Sequence, residues 1–251
     1  MQIKKTIAAV LFSIMMIGAL SGCTSPQPEA AEENSTSEVI STEETEERQT
    51  AETPEEALQF LKDGNQRFVD NNQANNDLSE TRRNELVEGQ EPFAVVVACS
   101  DSRVVPEHAF DQGLGDIFVV RVAGNILDPA EIGSVEYAVD HLDSKVVVVL
   151  GHQSCGAVTA AVEKDQNTEN SHTTEHIDAF LDNIEPAVAR AKESELEGKE
   201  LVEKTAEINA ELAAAQLLSD SSLIKSASEN NEVKVVSGKY LLTTGAVEWH
   251  E

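Results

Sequence analysis

Short apolar runs alternate with amphipathic stretches from residue 53 onward. Four runs rich in β-branched residues predict buried strands, because strands of a parallel sheet are covered on both faces. These runs are 93–98, 117–121, 145–150 and 233–237. Helical periodicity fills most of the sequence between them, at 130–143, from 156 onward, at 174–194 and at 200–218. Alternating strands and helices predict an α/β fold with a mostly parallel sheet flanked by helices.

Both ends of this region add elements to the predicted sheet. Thr53 and Pro54 are good residues for the start of a helix, and a second helix is predicted at 79–87. This amino-terminal helical arm either packs on the domain or reaches a partner. The last segment, 239–249, alternates around a Thr-Gly turn and predicts an antiparallel carboxyl-terminal strand or a hairpin.

Residues 1–22 have the pattern of a secretory signal peptide. Lys4 and Lys5 precede an apolar stretch, 6–19, that is too short to span a membrane. The segment Leu-Ser-Gly-Cys (20–23) resembles the lipobox of bacterial lipoproteins, which implies cleavage before Cys23 and lipid attachment to its sulfur. That resemblance predicts an exported protein with a lipid anchor in the bacterial cell membrane, facing outside the cytoplasm. An ordinary signal peptide or an uncleaved anchor is the alternative.

The segment 23–52 has nine glutamates and a single basic residue, Arg48. It contains too little apolar surface to offset the entropy of ordering, so an acidic, disordered tether is predicted, with a binding tail as the alternative. Residues 53–251 then form one domain. The net charge of the chain is −28, and it is −30 without Lys4 and Lys5. This charge argues against a nucleic-acid partner, which requires a basic surface.

The residues that carry chemistry follow two of the predicted strands. Cys99 comes directly after the first, and His152 and Cys155 come after the third. The carboxyl ends of parallel strands meet at one edge of a sheet, where α/β proteins build their sites. Two thiolates and an imidazole suit Zn²⁺, and three protein ligands leave a position for water. The alternative, a Cys99–Cys155 disulfide, leaves His152 without a role.

Four segments together resemble the β-class carbonic anhydrases. They are Cys-Ser-Asp-Ser-Arg (99–103), Gly-Asp-Ile-Phe-Val-Val-Arg-Val-Ala-Gly-Asn (115–125), Ser-Val-Glu-Tyr-Ala-Val (134–139) and Gly-His-Gln-Ser-Cys-Gly-Ala-Val (151–158). The resemblance implies reversible hydration of carbon dioxide to bicarbonate and a proton by a zinc-bound hydroxide. It also implies a homodimer or a higher even oligomer, and Cys99, His152 and Cys155 as the zinc ligands.

The same resemblance implies roles for the neighbouring residues. Asp101 orients the hydroxide by accepting its hydrogen bond, and Arg103 keeps Asp101 ionised. Gln90 donates to the substrate oxygen. Phe118 and Tyr137 form an apolar wall around carbon dioxide, partly across the dimer interface.

Two further expectations concern the state of this site. Gly156, directly after Cys155, belongs to the substrate pocket. In the family that the chain resembles, one subset lacks this Gln and holds inhibitory bicarbonate beside a Trp–Arg–Tyr cluster. Gln90 is present here and the only tryptophan, Trp249, lies near the carboxyl terminus, so the resemblance implies the subtype whose site is always open, with Asp101 off the metal.

Two alternative functions use the same residues. One is a carbonyl sulfide or carbon disulfide hydrolase on the same scaffold, since both substrates are linear molecules isoelectronic with carbon dioxide. The other is a non-catalytic zinc-binding surface lipoprotein, although binding alone requires neither Asp101 nor Arg103.

Overall fold

The computed structural model describes residues 50–74, 76–167 and 173–250. The predicted signal peptide, the predicted lipid attachment site at Cys23 and all but the last three residues of the acidic segment 23–52 lie outside the described residues. Within the described ranges, no helix is both long and apolar enough to cross a membrane.

The five strands found in the described residues form one sheet, as the alternating pattern predicts. They are β1 (Ala94–Ala98), β2 (Ile117–Arg121), β3 (Val146–His152), β4 (Lys234–Tyr240) and β5 (Val247–His250), in the order β2-β1-β3-β4-β5. The first four strands pair in parallel, and β5 pairs antiparallel with β4. The predicted fold class is therefore confirmed, including the antiparallel carboxyl-terminal strand.

The two helices of the amino-terminal arm begin at capping residues. Helix α1 (Pro54–Val69) has a capping box, in which Thr53 Oγ1 accepts from the Glu56 backbone N–H at 3.2 Å and the Glu56 carboxylate accepts from the Thr53 N–H at 3.2 Å. Helix α2 (Glu80–Glu85) begins after Ser79, whose hydroxyl oxygen accepts from the Arg82 N–H. Within the described chain, α1 packs on the sheet with buried side chains such as Leu61.

Six further helices connect or flank the strands. They are α3 (Pro106–Ala109), α4 (Pro129–Leu142), α5 (Gly156–Asp165), α6 (Glu175–Lys192), α7 (Gly198–Asp220) and α8 (Ser222–Glu229). A short 3-10 turn, Ala123–Asn125, follows β2. The pattern predicted neither α3 nor α8. Helix α3 is a single turn and is too short to show periodicity, and α8 begins directly after α7 at a new cap, Ser221.

Helices cover both faces of the sheet. Alternate residues of β1 face opposite sides, so Val96 packs against α1 and α3 while Val95 and Val97 pack against α4, α7 and α8. A third apolar cluster lies at the carboxyl edge of the sheet, where α5, α6 and α7 surround Cys99 and Cys155. This third cluster contains the candidate site.

Candidate metal centre

Two neighbouring strands bring three metal-ligand side chains together. Cys99 follows β1, His152 ends β3, and Cys155 is the residue before α5. Because β1 and β3 pair directly, with Ala98 opposite Leu150, their carboxyl ends are adjacent. One ligand atom from each side chain lies within 4.8 Å of the other two, and all three residues are buried. Both cysteines are free thiols, so the disulfide alternative does not hold.

His152 presents one ring nitrogen to this cluster. Its Nδ1 lies 3.0 Å from the carbonyl oxygen of Gln153, which favours the tautomer with the proton on Nδ1. Its Nε2 is buried and has no hydrogen-bond partner among the described residues. Buried polar atoms are almost always paired, so an unpaired lone pair beside two thiols fits a bound cation.

The two thiols influence each other strongly. The pKa of the Cys99 thiol is lowered to about 4, mainly by a hydrogen bond from Cys155 and in smaller part by the Gly124 N–H, which donates to Cys99 Sγ at 3.3 Å. The same contact with Cys99 raises the pKa of Cys155, because a second negative sulfur here is both buried and close to the first. A divalent cation between the sulfurs removes this conflict, so the donor set fits Zn²⁺.

Asp101 and Arg103 form a bidentate pair beside the cluster. Arg103 donates from Nε to Asp101 Oδ1 at 2.9 Å and from Nη2 to Oδ2 at 2.7 Å. These hydrogen bonds hold the pKa of the Asp101 carboxyl well below its usual range. Asp101 Oδ2 lies 3.9 Å from His152 Nε2. The open state of the site stays a prediction, and the pair with Arg103 is the contact that favours it.

Arg121 braces the backbone of the same loop. At the end of β2, its guanidinium donates to the carbonyl oxygen of Cys99 at 3.1 Å and to that of Asp101 at 2.7 Å. The segment 99–103 is thus held by backbone contacts as well as by its own side chains. Arg121 lies within the segment 115–125 but is not among the predicted site residues.

Three of the predicted substrate-site residues lie away from the metal cluster of their own chain. Gln90 is exposed and precedes β1, whereas Cys99 follows it, and a five-residue strand spans about 17 Å. Phe118 lies near the start of β2 and contacts Tyr137 of α4, with ring centroids 6.4 Å apart. Tyr137 is 47% exposed. Gly156, by contrast, directly follows Cys155. Within one chain, the structure does not bring Gln90, Phe118 and Tyr137 to the metal cluster.

Helix α7 supports the centre, although its sequence only predicted a long helix rich in Ala and Glu. Gly151 permits its close approach, because a Cβ at that residue would lie 2.9 Å from the Ala206 carbonyl oxygen. From this position Glu203 accepts from the Ser154 N–H at 2.9 Å, and Asn209 donates to the Gly124 carbonyl oxygen at 2.8 Å. The signal available in the sequence was an Asn among the Ala, Ile and Leu residues of the predicted helix 200–218.

A second group of possible ligands among the described residues is Glu207, Glu211 and His250. Lysines already pair with Glu207: Lys204 Nζ lies 2.5 Å from its Oε1 and Lys239 Nζ lies 3.9 Å from its Oε2. Although burial disfavours its charge, the Glu207 carboxyl has a lowered pKa because these lysines and His250 lie close to it. We interpret this group as an ion-pair network on α7.

Comparison with known proteins gives consistent matches. A family model described as carbonic anhydrase matches residues 94–247. Carbonic anhydrase 2 of Mycobacterium tuberculosis is 52% identical over 109 residues, which are 43% of this chain and 53% of that protein. The chain therefore spans about half of the length of the curated relatives that it matches first.

Solved structures extend the likeness to the fold. The β-carbonic anhydrase CcaA matches with a TM-score of 0.63 and 25% identity, over 77% of this chain and 95% of that chain. A structure from a study of two tetrameric β-carbonic anhydrases of the filamentous ascomycete Sordaria macrospora matches with a TM-score of 0.59 and 26% identity, over 66% of this chain and 84% of that chain. With a family model matched over more than half of its residues and these structures sharing its fold, the chain belongs to the β class of the carbonic anhydrase family.

Proposed function

We propose that the protein catalyses the reversible hydration of carbon dioxide to bicarbonate and a proton, with Zn²⁺ held by Cys99, His152 and Cys155. The observation that carries this proposal is the buried triad, in which His152 Nε2 has no partner among the described residues. The carbonic anhydrase relatives support the same activity. Neither alternative function, sulfur-substrate hydrolysis or metal storage, is supported by these comparisons.

The donor set defines what the metal contributes. Cys99, His152 and Cys155 would supply two thiolates and one imidazole, which would leave a position on Zn²⁺ for water. When bound there, Zn²⁺ makes water a nucleophile near neutral pH by lowering its pKa. The protein contributes a buried site and ligands fixed at strand ends.

Asp101 and Arg103 orient the oxygen that attacks carbon dioxide. An ionised carboxylate only accepts hydrogen bonds, so Asp101 would accept a hydrogen bond from the attacking oxygen and thereby direct a lone pair of that oxygen at carbon dioxide. Arg103 keeps Asp101 ionised and fixes its plane through two parallel hydrogen bonds.

We also propose that two copies of the chain complete each site. Gln90, Phe118 and Tyr137 lie apart from the metal cluster of their own chain, and Tyr137 is largely exposed. A two-fold partner that brings these residues to the cluster would supply the amide donor and the apolar wall for carbon dioxide. The tetrameric enzymes from Sordaria macrospora show that related chains assemble.

The cellular location belongs to the proposal as well. We propose export and lipid attachment at Cys23, which rests on the segment 20–23 and the apolar stretch before it. When the producing cells are grown with a radioactive fatty acid, we expect the wild-type chain to become labelled and the Cys23→Ala variant to stay unlabelled. Equal labelling of both would contradict lipid attachment at Cys23.

Stopped-flow hydration of carbon dioxide, with zinc quantified in the same sample, tests the activity. We expect rapid turnover with about one zinc per chain, and loss of both in Cys155→Ala. Cys23→Ala is the matched control, because it removes a cysteine outside the described domain. Stoichiometric zinc without hydration would contradict the proposed activity, and carbonyl sulfide would be the next substrate tested.

A further inference from the structure

Glu203 of helix α7 contacts the turn between two of the metal-site residues. Its Oε1 accepts from the backbone N–H of Ser154 at 2.9 Å, and the Ser154 hydroxyl lies 3.4 Å from the same oxygen. Ser154 separates His152 from Cys155, and Glu203 is 49 residues away in sequence. This carboxylate therefore joins the ligand turn to a separate helix.

The backbone at Ser154 has an unusual conformation. Its φ is +53°, in the left-handed region that residues with a Cβ rarely adopt. Such conformations persist only where surrounding contacts hold them, and they occur preferentially at functional sites. Here the N–H of Ser154 is bonded to Glu203, and its carbonyl oxygen accepts from Arg103 Nη2 at 3.3 Å.

These contacts connect Glu203 to both halves of the centre. On one side, Ser154 directly precedes the thiol ligand Cys155. On the other side, its carbonyl anchors the same Arg103 nitrogen that bonds Asp101 Oδ2. A change in the Ser154 turn therefore alters the spacing of the ligands and the anchor of the Asp101–Arg103 pair together.

We propose that Glu203 is a positioning residue for this site. By accepting the Ser154 N–H, it stabilises the left-handed turn, preorganises His152 and Cys155 for the metal, and keeps the carbonyl that orients Arg103 in place. Glu203 acts through Ser154 and does not itself contact the substrate. The proposal rests on the proposed function where it concerns turnover, whereas its effect on metal binding stands by itself.

A nearly isosteric pair of variants tests the acceptor. Glu203→Met keeps the side-chain length and removes both oxygens, and Glu203→Gln keeps one carbonyl oxygen. Glu200→Met is the matched control, because Glu200 is exposed in the first turn of the same helix. Zinc affinity of the metal-free full chain is measured by competition with a chelator, and carbon dioxide hydration is measured on the zinc-loaded chain.

We expect Glu203→Met to bind zinc about 10- to 100-fold more weakly, the range typical for loss of a residue that supports a metal ligand, and to lose turnover. Glu203→Gln and Glu200→Met should have zinc affinity and turnover close to those of the wild-type chain. Adding Ser154→Gly to Glu203→Met should restore part of the affinity, because glycine adopts the left-handed conformation without a steric cost. A purely structural role for Glu203 would not produce that rescue.

Several outcomes would overturn the proposal. They are unchanged zinc affinity in Glu203→Met, an equal loss in Glu203→Gln, or no recovery on adding Ser154→Gly. If Glu203→Met does not fold, Glu203→Ala replaces it in the same comparison. If the unmodified chain binds zinc without hydrating carbon dioxide, the proposed function fails, and the zinc affinities still decide the role of Glu203.

Discussion

The side-chain amide of Asn209 donates a hydrogen bond to the carbonyl oxygen of Gly124 at 2.8 Å, although the two residues are 85 positions apart. Both residues are buried. The N–H of Gly124 in turn donates to Cys99 Sγ, so a helix at the far end of the chain holds the turn that contacts the first thiol. The turn after β2 thus depends on α7 for its position.

Replacing Asn209 with Ala should therefore destabilise the protein. The variant leaves the buried carbonyl of Gly124 without its donor, which costs about 1–3 kcal/mol in the free energy of unfolding. Urea unfolding of the two chains measures the difference. Asn183→Ala is the control, since Asn183 makes a similar bond to a backbone carbonyl in an exposed position and should cost much less. Equal losses in both variants would contradict the buried bond as the cause.

The geometry of the Asp101–Arg103 pair predicts that a positive charge at residue 103 is not enough to maintain activity. Lysine cannot donate two parallel hydrogen bonds to one carboxylate, so Arg103→Lys should lower kcat/KM for carbon dioxide by about 10- to 100-fold with zinc content unchanged. Stopped-flow assays with parallel zinc analysis test this. Arg83→Lys, on the exposed helix α2, should leave kcat/KM unchanged. Full activity in Arg103→Lys would show that charge alone is enough.

The proposed shared site predicts complementation between two defective chains. In that proposal, Gln90→Ala removes the donor that a chain gives to its partner, and Cys155→Ala removes a metal ligand of its own chain. If two-fold dimers form at random after refolding a mixture, about a quarter of the sites combine an intact metal cluster with an intact Gln90. Activity above the sum of the separate variants is expected.

The control for that experiment is a mixture of Cys155→Ala and Arg103→Met. Both changes affect the same side of the site, so every site in the mixed dimer carries one defect and no activity should return. Recovery in this control, or its absence in the first mixture, would contradict the shared site.

The close approach of α7 to the sheet predicts that a side chain at Gly151 destabilises the fold. A Cβ there would meet the Ala206 carbonyl oxygen, a backbone atom that cannot rotate away, so Gly151→Ala should cost about 1–3 kcal/mol in the free energy of unfolding. Gly133→Ala is the control, because a Cβ at Gly133 in α4 meets nothing within 4 Å. That variant should be neutral or more stable, since Ala favours helix over Gly. Thermal and urea unfolding compare the two.

The apolar pattern locates the strands but ends before two of them do. The predicted strand at 117–121 coincides with β2, but β3 and β4 continue beyond the predicted 145–150 and 233–237 to His152 and Tyr240. Their last residues include glycine and polar side chains, where an apolar pattern stops. Backbone pairing of Gly151 with Lys239 and of His152 with Tyr240 extends both strands, and this pairing does not depend on side-chain polarity.

By itself, the sequence determined the properties that arise from local patterns: the strands and most helices, the cap of α1, and three metal-ligand side chains that follow or end two strands. Only the tertiary structure decided which residues from a distant part of the chain support the site, namely Glu203 and Asn209 of α7, which bond the backbone of Ser154 and Gly124. Hydrophobic periodicity specifies which face of a helix packs against the sheet. It does not specify the position along the sheet at which the helix packs, and this position determines which polar side chains reach the site.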